Sequence, residues 1–143
     1  MGSWTSCALI VVVACAAGGC ATYRDELVRA QKTFEQNEHE RTMALLRDLE
    51  PDLSHLSTPE RAQYAYLRGM TDYRVGYRAD ARHWLALAKA YDENSPGILP
   101  TDWKARTLEA LEELSGVVYS DGTSALATQK RPGGEEVSTP KAK

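Results

Sequence analysis

The feature that most constrains this chain is internal. Slid along itself until Leu27 lies on Tyr66, the sequence matches position by position. At that offset Val28 falls on Leu67, Arg29 on Arg68, Ala30 on Gly69 and Phe34 on Tyr73. Further along, Asn37 falls on Gly76, Thr42 on Ala81, Leu46 on Leu85 and Leu49 on Ala88. Small residues meet small, large apolar residues meet large apolar, and a turn-former meets a turn-former. A repeat of this length is a supersecondary unit that has to stack on a neighbour to bury its apolar face.

Each matched position has a physical reading. Ala30 and Gly69 let two antiparallel helices approach closely, and Thr42 and Ala81 keep the second helix near the first beside the turn. Asn37 and Gly76 tolerate the left-handed conformation that ends a helix. Leu46 with Leu49, and Leu85 with Ala88, share one helix face, which is the face to bury. The spacing resembles the tetratricopeptide repeat (TPR), a helix–turn–helix unit of about 34 residues that stacks into a solenoid. The resemblance runs from Arg24 to about Asp92 and is strongest from Gly69 to Tyr77 and on through Ala81, Leu85 and Ala88. Glu26 and Ala65 stand where that family carries a Trp, and Arg29 and Arg68 where it carries a Leu. The extra length of the period fits a longer loop over Asp52–Ser57.

The expected fold is all-α: antiparallel helix hairpins stacked as a short TPR-like solenoid, about two repeats and a capping helix. Helices are expected near 23–36, 40–50, 59–75, 78–93 and 101–115. Ser57 or Thr58 caps the third, with Pro59 and Glu60 in its first turn. Glu50-Pro51 ends the second, Asn94–Gly97 the fourth, and Gly116 the fifth. Breakers and charges then dominate, so residues 117–143 read as a disordered tail, with Val117–Tyr119 packing back as a short ordered piece.

The N-terminus has a different logic. Met1 to Gly19 carry no charged side chain, and Ala8–Ala17 is the longest apolar run in the chain. Ten helical residues span about 15 Å, half a bilayer core, which is signal-peptide length and too short to cross. Ala17-Gly18-Gly19-Cys20 then resembles the lipobox of bacterial lipoprotein precursors, with Ala17 in the place usually held by Leu. An ordinary signal peptide, or an apolar N-terminal helix that stays in place, is the other reading. The resemblance implies cleavage before Cys20 and acylation of its thiol. It divides the chain into a leader (1–19), a lipidated anchor (20–22), a helical domain (23–116) and the tail (117–143). Ala21 follows the cysteine where Asp would favour the inner membrane, so the expected location is the outer membrane, facing the periplasm.

Chemistry is sparse. A net charge of −3 argues against nucleic acid as a partner, since phosphate binding needs a clustered cationic excess. Cys7 and Cys15 leave with the leader and Cys20 is blocked, so no thiol remains. His39, His55 and His83 share no helix at metal-ligand spacing, and no Gly-rich phosphate loop occurs; no metal, no cofactor and no enzymatic activity are expected. One feature stands out: Gln63, Tyr66, Met70, Tyr73 and Arg74 form a stripe at helical spacing, matched on the first helix by Leu27, Gln31, Phe34 and Glu35. By resemblance, that face lines a groove that holds a peptide or a partner helix, and Tyr and Arg dominate binding hot spots. The same stripe also fits simple packing between helices. The expected function is a membrane-anchored, non-catalytic interaction module docking an envelope protein or peptide. A self-associating structural lipoprotein that forms a homo-oligomer and an accessory activator of an envelope enzyme are the alternatives.

Overall fold

The computed structural model describes residues 19–123 and Leu126, with side chains from Tyr23 onward. Residues 1–18, Ser124, Ala125 and the residues from Ala127 onward lie outside the described residues, and with them nearly all of the expected leader (1–19) and most of the expected disordered tail. Among the described residues the protein is all-helical, with α1 at Gly19–Glu35, α2 at His39–Leu49, α3 at Thr58–Val75, α4 at Arg78–Asn94 and α5 at Thr101–Asp121. A 3-10 connector, Glu50–His55, joins α2 to α3.

The two hairpin turns repeat bond for bond. Asn37 donates its N–H to the Phe34 carbonyl (3.0 Å) and Gly76 donates to Tyr73 (3.2 Å). Glu38 donates to Thr33 (3.0 Å) and Tyr77 to Asp72 (2.7 Å); His39 donates to Asn37 and Arg78 to Gly76, both at 3.0 Å. Every bond in the second turn is the first moved on by the period that carries Leu27 onto Tyr66. Asn37 (φ 59°) and Gly76 (φ 88°) supply the left-handed residue each turn requires. The next residues match as well, Glu38 at φ −81°, ψ 67° and Tyr77 at φ −79°, ψ 72°.

Helix directions follow from which residues meet. Along α1 and α3, Arg24 meets Glu60, Gln31 meets Gln63 and Asn37 meets Arg74, so these helices run in the same sense. Along α3 and α5, Tyr66 meets Trp103 and Tyr73 meets Glu113, again in the same sense. Helix α3 is central and touches all four others; its broadest contact is with α4. There, antiparallel across the turn, Gly69 faces Leu85 at a distance that leaves no room for a Cβ. The core is built from Leu27, Ala30 and Phe34 of α1, Leu46 and Leu49 of α2, and Ala81, Leu85 and Ala88 of α4, all packed around α3.

Helix α3 starts as its sequence signals. Ser57 is the N-cap; its N–H and its hydroxyl both donate to the Glu60 carboxylate (2.8 and 2.6 Å), closing a capping box with Pro59 in the first turn. Three boundaries differ from expectation. Helix α1 starts at Gly19, not near residue 23, so the backbone of residues 20–22, expected as a separate anchor, is already helical. The segment expected as a loop over Asp52–Ser57 is mostly the 3-10 connector, with Leu53 half-buried and Leu56 buried. Gly116 does not end α5. Val117 and Val118 pack on the core and carry the helix on to Asp121, where Gly122 (φ 80°) stops it. Tyr119 projects into solvent, 90% exposed, while Leu126 returns to the core. Helix α5 therefore passes the expected domain boundary at residue 116.

Candidate functional site

The face shared by α1, α3 and α5 gathers the stripe that the sequence singles out, and splits it in two. Tyr66 is fully buried: its ring stacks on Trp103 of α5 (centroids 4.2 Å, 11°) and meets Phe34 of α1 edge-on (6.1 Å, 67°). Met70 and Phe34 are buried beside it. These three residues, read from the sequence as lining either a partner groove or a packing face, lie buried between helices. The reason is Trp103, whose indole covers Tyr66 from a helix the self-match does not reach. Burial raises the Tyr66 phenol above its ordinary pKa, and its hydroxyl makes no hydrogen bond of normal geometry.

Gln63, Tyr73 and Arg74 form the outward half. Gln63 donates to Gln31 (2.7 Å), which in turn donates to Glu35 (2.8 Å). Arg74 lies exposed, its guanidinium 4.4 Å from the centre of the Phe34 ring, and donates to the Asn37 side chain (3.3 Å). The half-buried Tyr73 donates its hydroxyl to Glu113, and that hydrogen bond is the main cause raising its pKa. Phe34 with Arg74, and Tyr73 with Glu113, stand at equivalent positions one period apart, with different chemistry: a guanidinium over a ring in the first, a phenol donating to a carboxylate in the second.

A second cluster carries no mark in the sequence pattern. Arg68, 6% exposed, donates through Nε to Asp72 (3.0 Å) and through Nη1 to Glu50 of the connector (2.9 Å), with its guanidinium 5.7 Å from the Trp84 ring centre. Tyr64 donates to the Leu46 carbonyl (2.8 Å) and meets Trp84 edge-on. Burial pushes the Asp72 carboxyl up to about 6 against the pull of Arg68, and its Oδ1 has no hydrogen-bond partner. Beside it opens a cleft of about 420 Å³ lined by Arg47, Glu50, Arg68, Asp80, His83 and Trp84. Arg29, the counterpart of Arg68 one period earlier, is exposed, so only the three-dimensional neighbourhood distinguishes the two.

The histidines lie apart. His39 opens α2, His55 stacks on Tyr23 (4.9 Å, 15°), and His83 meets Trp84 edge-on. Among the described residues no three His, Cys, Asp or Glu side chains gather to hold a metal ion, and no helix is long and apolar enough to cross a membrane. The Cys20 side chain lies outside the described residues; its backbone belongs to the first turn of α1. No protein-family model, curated protein or solved structure matches the chain.

Proposed function

We propose that this protein is a lipoprotein of the bacterial cell envelope, anchored through Cys20 at the outer membrane and facing the periplasm. Its helical domain is a non-catalytic interaction module that docks an envelope protein or peptide. The anchor rests on Ala17-Gly18-Gly19-Cys20; the observation that carries the interaction module is the turn repeated bond for bond, at Asn37 and again at Gly76, as in stacked hairpins whose usual work is binding. Contacts at equivalent positions between successive odd-numbered helices, Phe34 with Arg74 and then Tyr73 with Glu113, support a TPR-like stack closed by α5. On this reading the docking surface is the outward row Gln63, Tyr73 and Arg74, since Phe34, Tyr66 and Met70 are buried beneath it.

Two measurements test this. Mass spectrometry of the mature N-terminus from membranes should find diacylglycerol on Cys20; an unmodified cysteine overturns the anchor. In-cell crosslinking should capture a partner that Tyr73→Ala with Arg74→Ala loses while the helical circular dichroism spectrum persists. Undiminished capture moves the docking surface elsewhere. Exposed Leu108 (43%) and Tyr119 on α5 favour the self-associating alternative; a stable homo-oligomer in light scattering, with no second protein captured, would select it.

A further inference from the structure

The length of the tether decides how the domain sits on its anchor, provided that Cys20 is lipidated as proposed above. Helix α1 begins at Gly19, so Cys20 already lies in its first turn. The packed domain begins almost at once: Tyr23 stacks on His55 of the connector (4.9 Å), and Arg24 pairs with Glu60 in the first turn of α3 (2.6 Å). Pulled fully straight, the three steps from Cys20 to Tyr23 span at most about 11 Å. The body of the domain is longer: the 18 residues of α3 extend about 27 Å. A tether shorter than half the body cannot let either end turn freely to the bilayer.

Topology decides which end is held. Because α1, α3 and α5 run in the same sense, their N-termini lie together with the 3-10 connector and the α4–α5 loop at one end. The turns at Asn37 and Gly76 and the end of α5 lie at the other. We propose that the end formed by the connector, the start of α3 and the α4–α5 loop is a membrane-facing surface, held against lipid headgroups by this short tether.

The chemistry of that end suits a headgroup layer with little net charge. Leu53 and Ile98 pack half-buried on the core there, and Pro59 and Pro96 are exposed. Arg24 is neutralised by Glu60, and His55 lies 3.6 Å from Asp52. Exposed carboxylates at this end, Asp25, Asp48, Glu93 and Asp102 among them, outnumber the exposed cations Arg24, Arg47 and Lys104, so anionic lipids are not attracted to it. Zwitterionic headgroups are therefore the surface it fits. The outward row then stands along the membrane normal, with Gln63 near the bilayer and Arg74 at the far end, open to a partner.

The test uses the full lipidated chain, purified from membranes and reconstituted in phosphatidylcholine vesicles doped with a headgroup spin-labelled lipid. Mature chains carry a fluorophore on a cysteine introduced at Ser54 or Ser95, or at Glu40 or Ser120 at the opposite end; all four positions are exposed. Quenching should be severalfold stronger at 54 and 95 than at 40 and 120. A flexible Gly-Ser insertion of about ten residues before Tyr23, with a mean reach of roughly 17 Å, should level the four positions while leaving the lipid in place. Equal quenching in the uninserted, lipidated protein overturns the proposal and leaves the anchor standing. Absence of lipid on Cys20 by mass overturns both. Strong quenching at 54 and 95 only when anionic lipid is added would refute the zwitterionic surface.

Discussion

Gly69 lies so close to Leu85 that a Cβ placed on it would sit 2.7 Å from Leu85 Cγ and 2.9 Å from the Leu85 backbone nitrogen. The side chain of Leu85 has some freedom to move; its backbone does not. Gly69→Ala is therefore expected to push α3 and α4 apart and cost about 1–3 kcal/mol, as overpacked cores do. Denaturant titration followed by circular dichroism reads the loss. A variant as stable as the parent would show that the hairpin is less tightly closed.

Tyr66 makes a second prediction, with opposite signs for two substitutions. Tyr66→Ala removes a ring packed between Phe34 and Trp103 and should cost about 3–5 kcal/mol, the range for large aromatic truncations. Tyr66→Phe keeps the ring and deletes a buried hydroxyl that has no well-formed hydrogen bond. Removing such a group relieves a desolvation penalty, so the Phe variant should match or exceed the parent's denaturation midpoint. A clear loss in Tyr66→Phe would mean that the hydroxyl is bonded in solution, with Arg106 the nearby charge that acts on it.

Much of this architecture is legible in the sequence for a physical reason. A left-handed turn residue and a close helix approach each restrict the side chain at one position, so Asn37, Gly76 and Gly69 leave compositional marks. The stripe on α3 is less legible, because helical spacing reports a shared face and not what covers it. Only the structure brings Trp103 over Tyr66. Arg68 is hidden for a related reason: its burial depends on Glu50 and Trp84, brought to it from the connector and from α4, and its counterpart Arg29 is exposed. At Gly116 the local signal to stop loses to apolar packing by Val117 and Val118.

Glu60 ties stability to acid pH. Its carboxyl is held at about 2, below the ordinary 4.5, first by the hydrogen bonds from Ser57 and then by Arg24. A lowered folded-state pKa means the folded form binds the proton less readily than the unfolded chain. The contribution is complete above 4.5 and is lost as pH falls towards 2. Denaturation midpoints measured from pH 5 down to 2 should fall more steeply for the parent than for Glu60→Ala. Parallel slopes would mean the capping box does not persist in solution.

Asp72 has the reverse sign. Burial raises its carboxyl from 3.8 to about 6, so the folded protein binds the proton more readily than the unfolded chain. Its contribution is fully present below 3.8 and is lost as pH rises through 6. The groups facing it are Arg68 on its own helix, Asp80 on α4 and Arg47 on α2. The stability of the parent relative to Asp72→Asn should therefore decline between pH 4 and 7. Carbon-13 NMR should show the Asp72 carboxyl titrating near pH 6, and a midpoint at or below 4 would mean that Arg68 outweighs burial.

The paired turns give the most discriminating prediction, because the same backbone conformation is held by two different residues. At Gly76 (φ 88°) an alanine must adopt a left-handed conformation, so Gly76→Ala should cost about 1–2 kcal/mol. Gly76→Asn should cost less, since Asn37 holds the equivalent place with φ 59° and tolerates it through its short polar side chain. Asn37→Gly removes what strain remains at the first turn but forfeits the exposed hydrogen bond from Arg74, a weak one at 3.3 Å, and should leave stability nearly unchanged. Thermal melts of the three variants should therefore rank Gly76→Ala lowest, Gly76→Asn between, and Asn37→Gly beside the parent. If Gly76→Asn falls with Gly76→Ala, the two turns are not equivalent in solution, and their bond-for-bond repetition loses its meaning as a structural repeat.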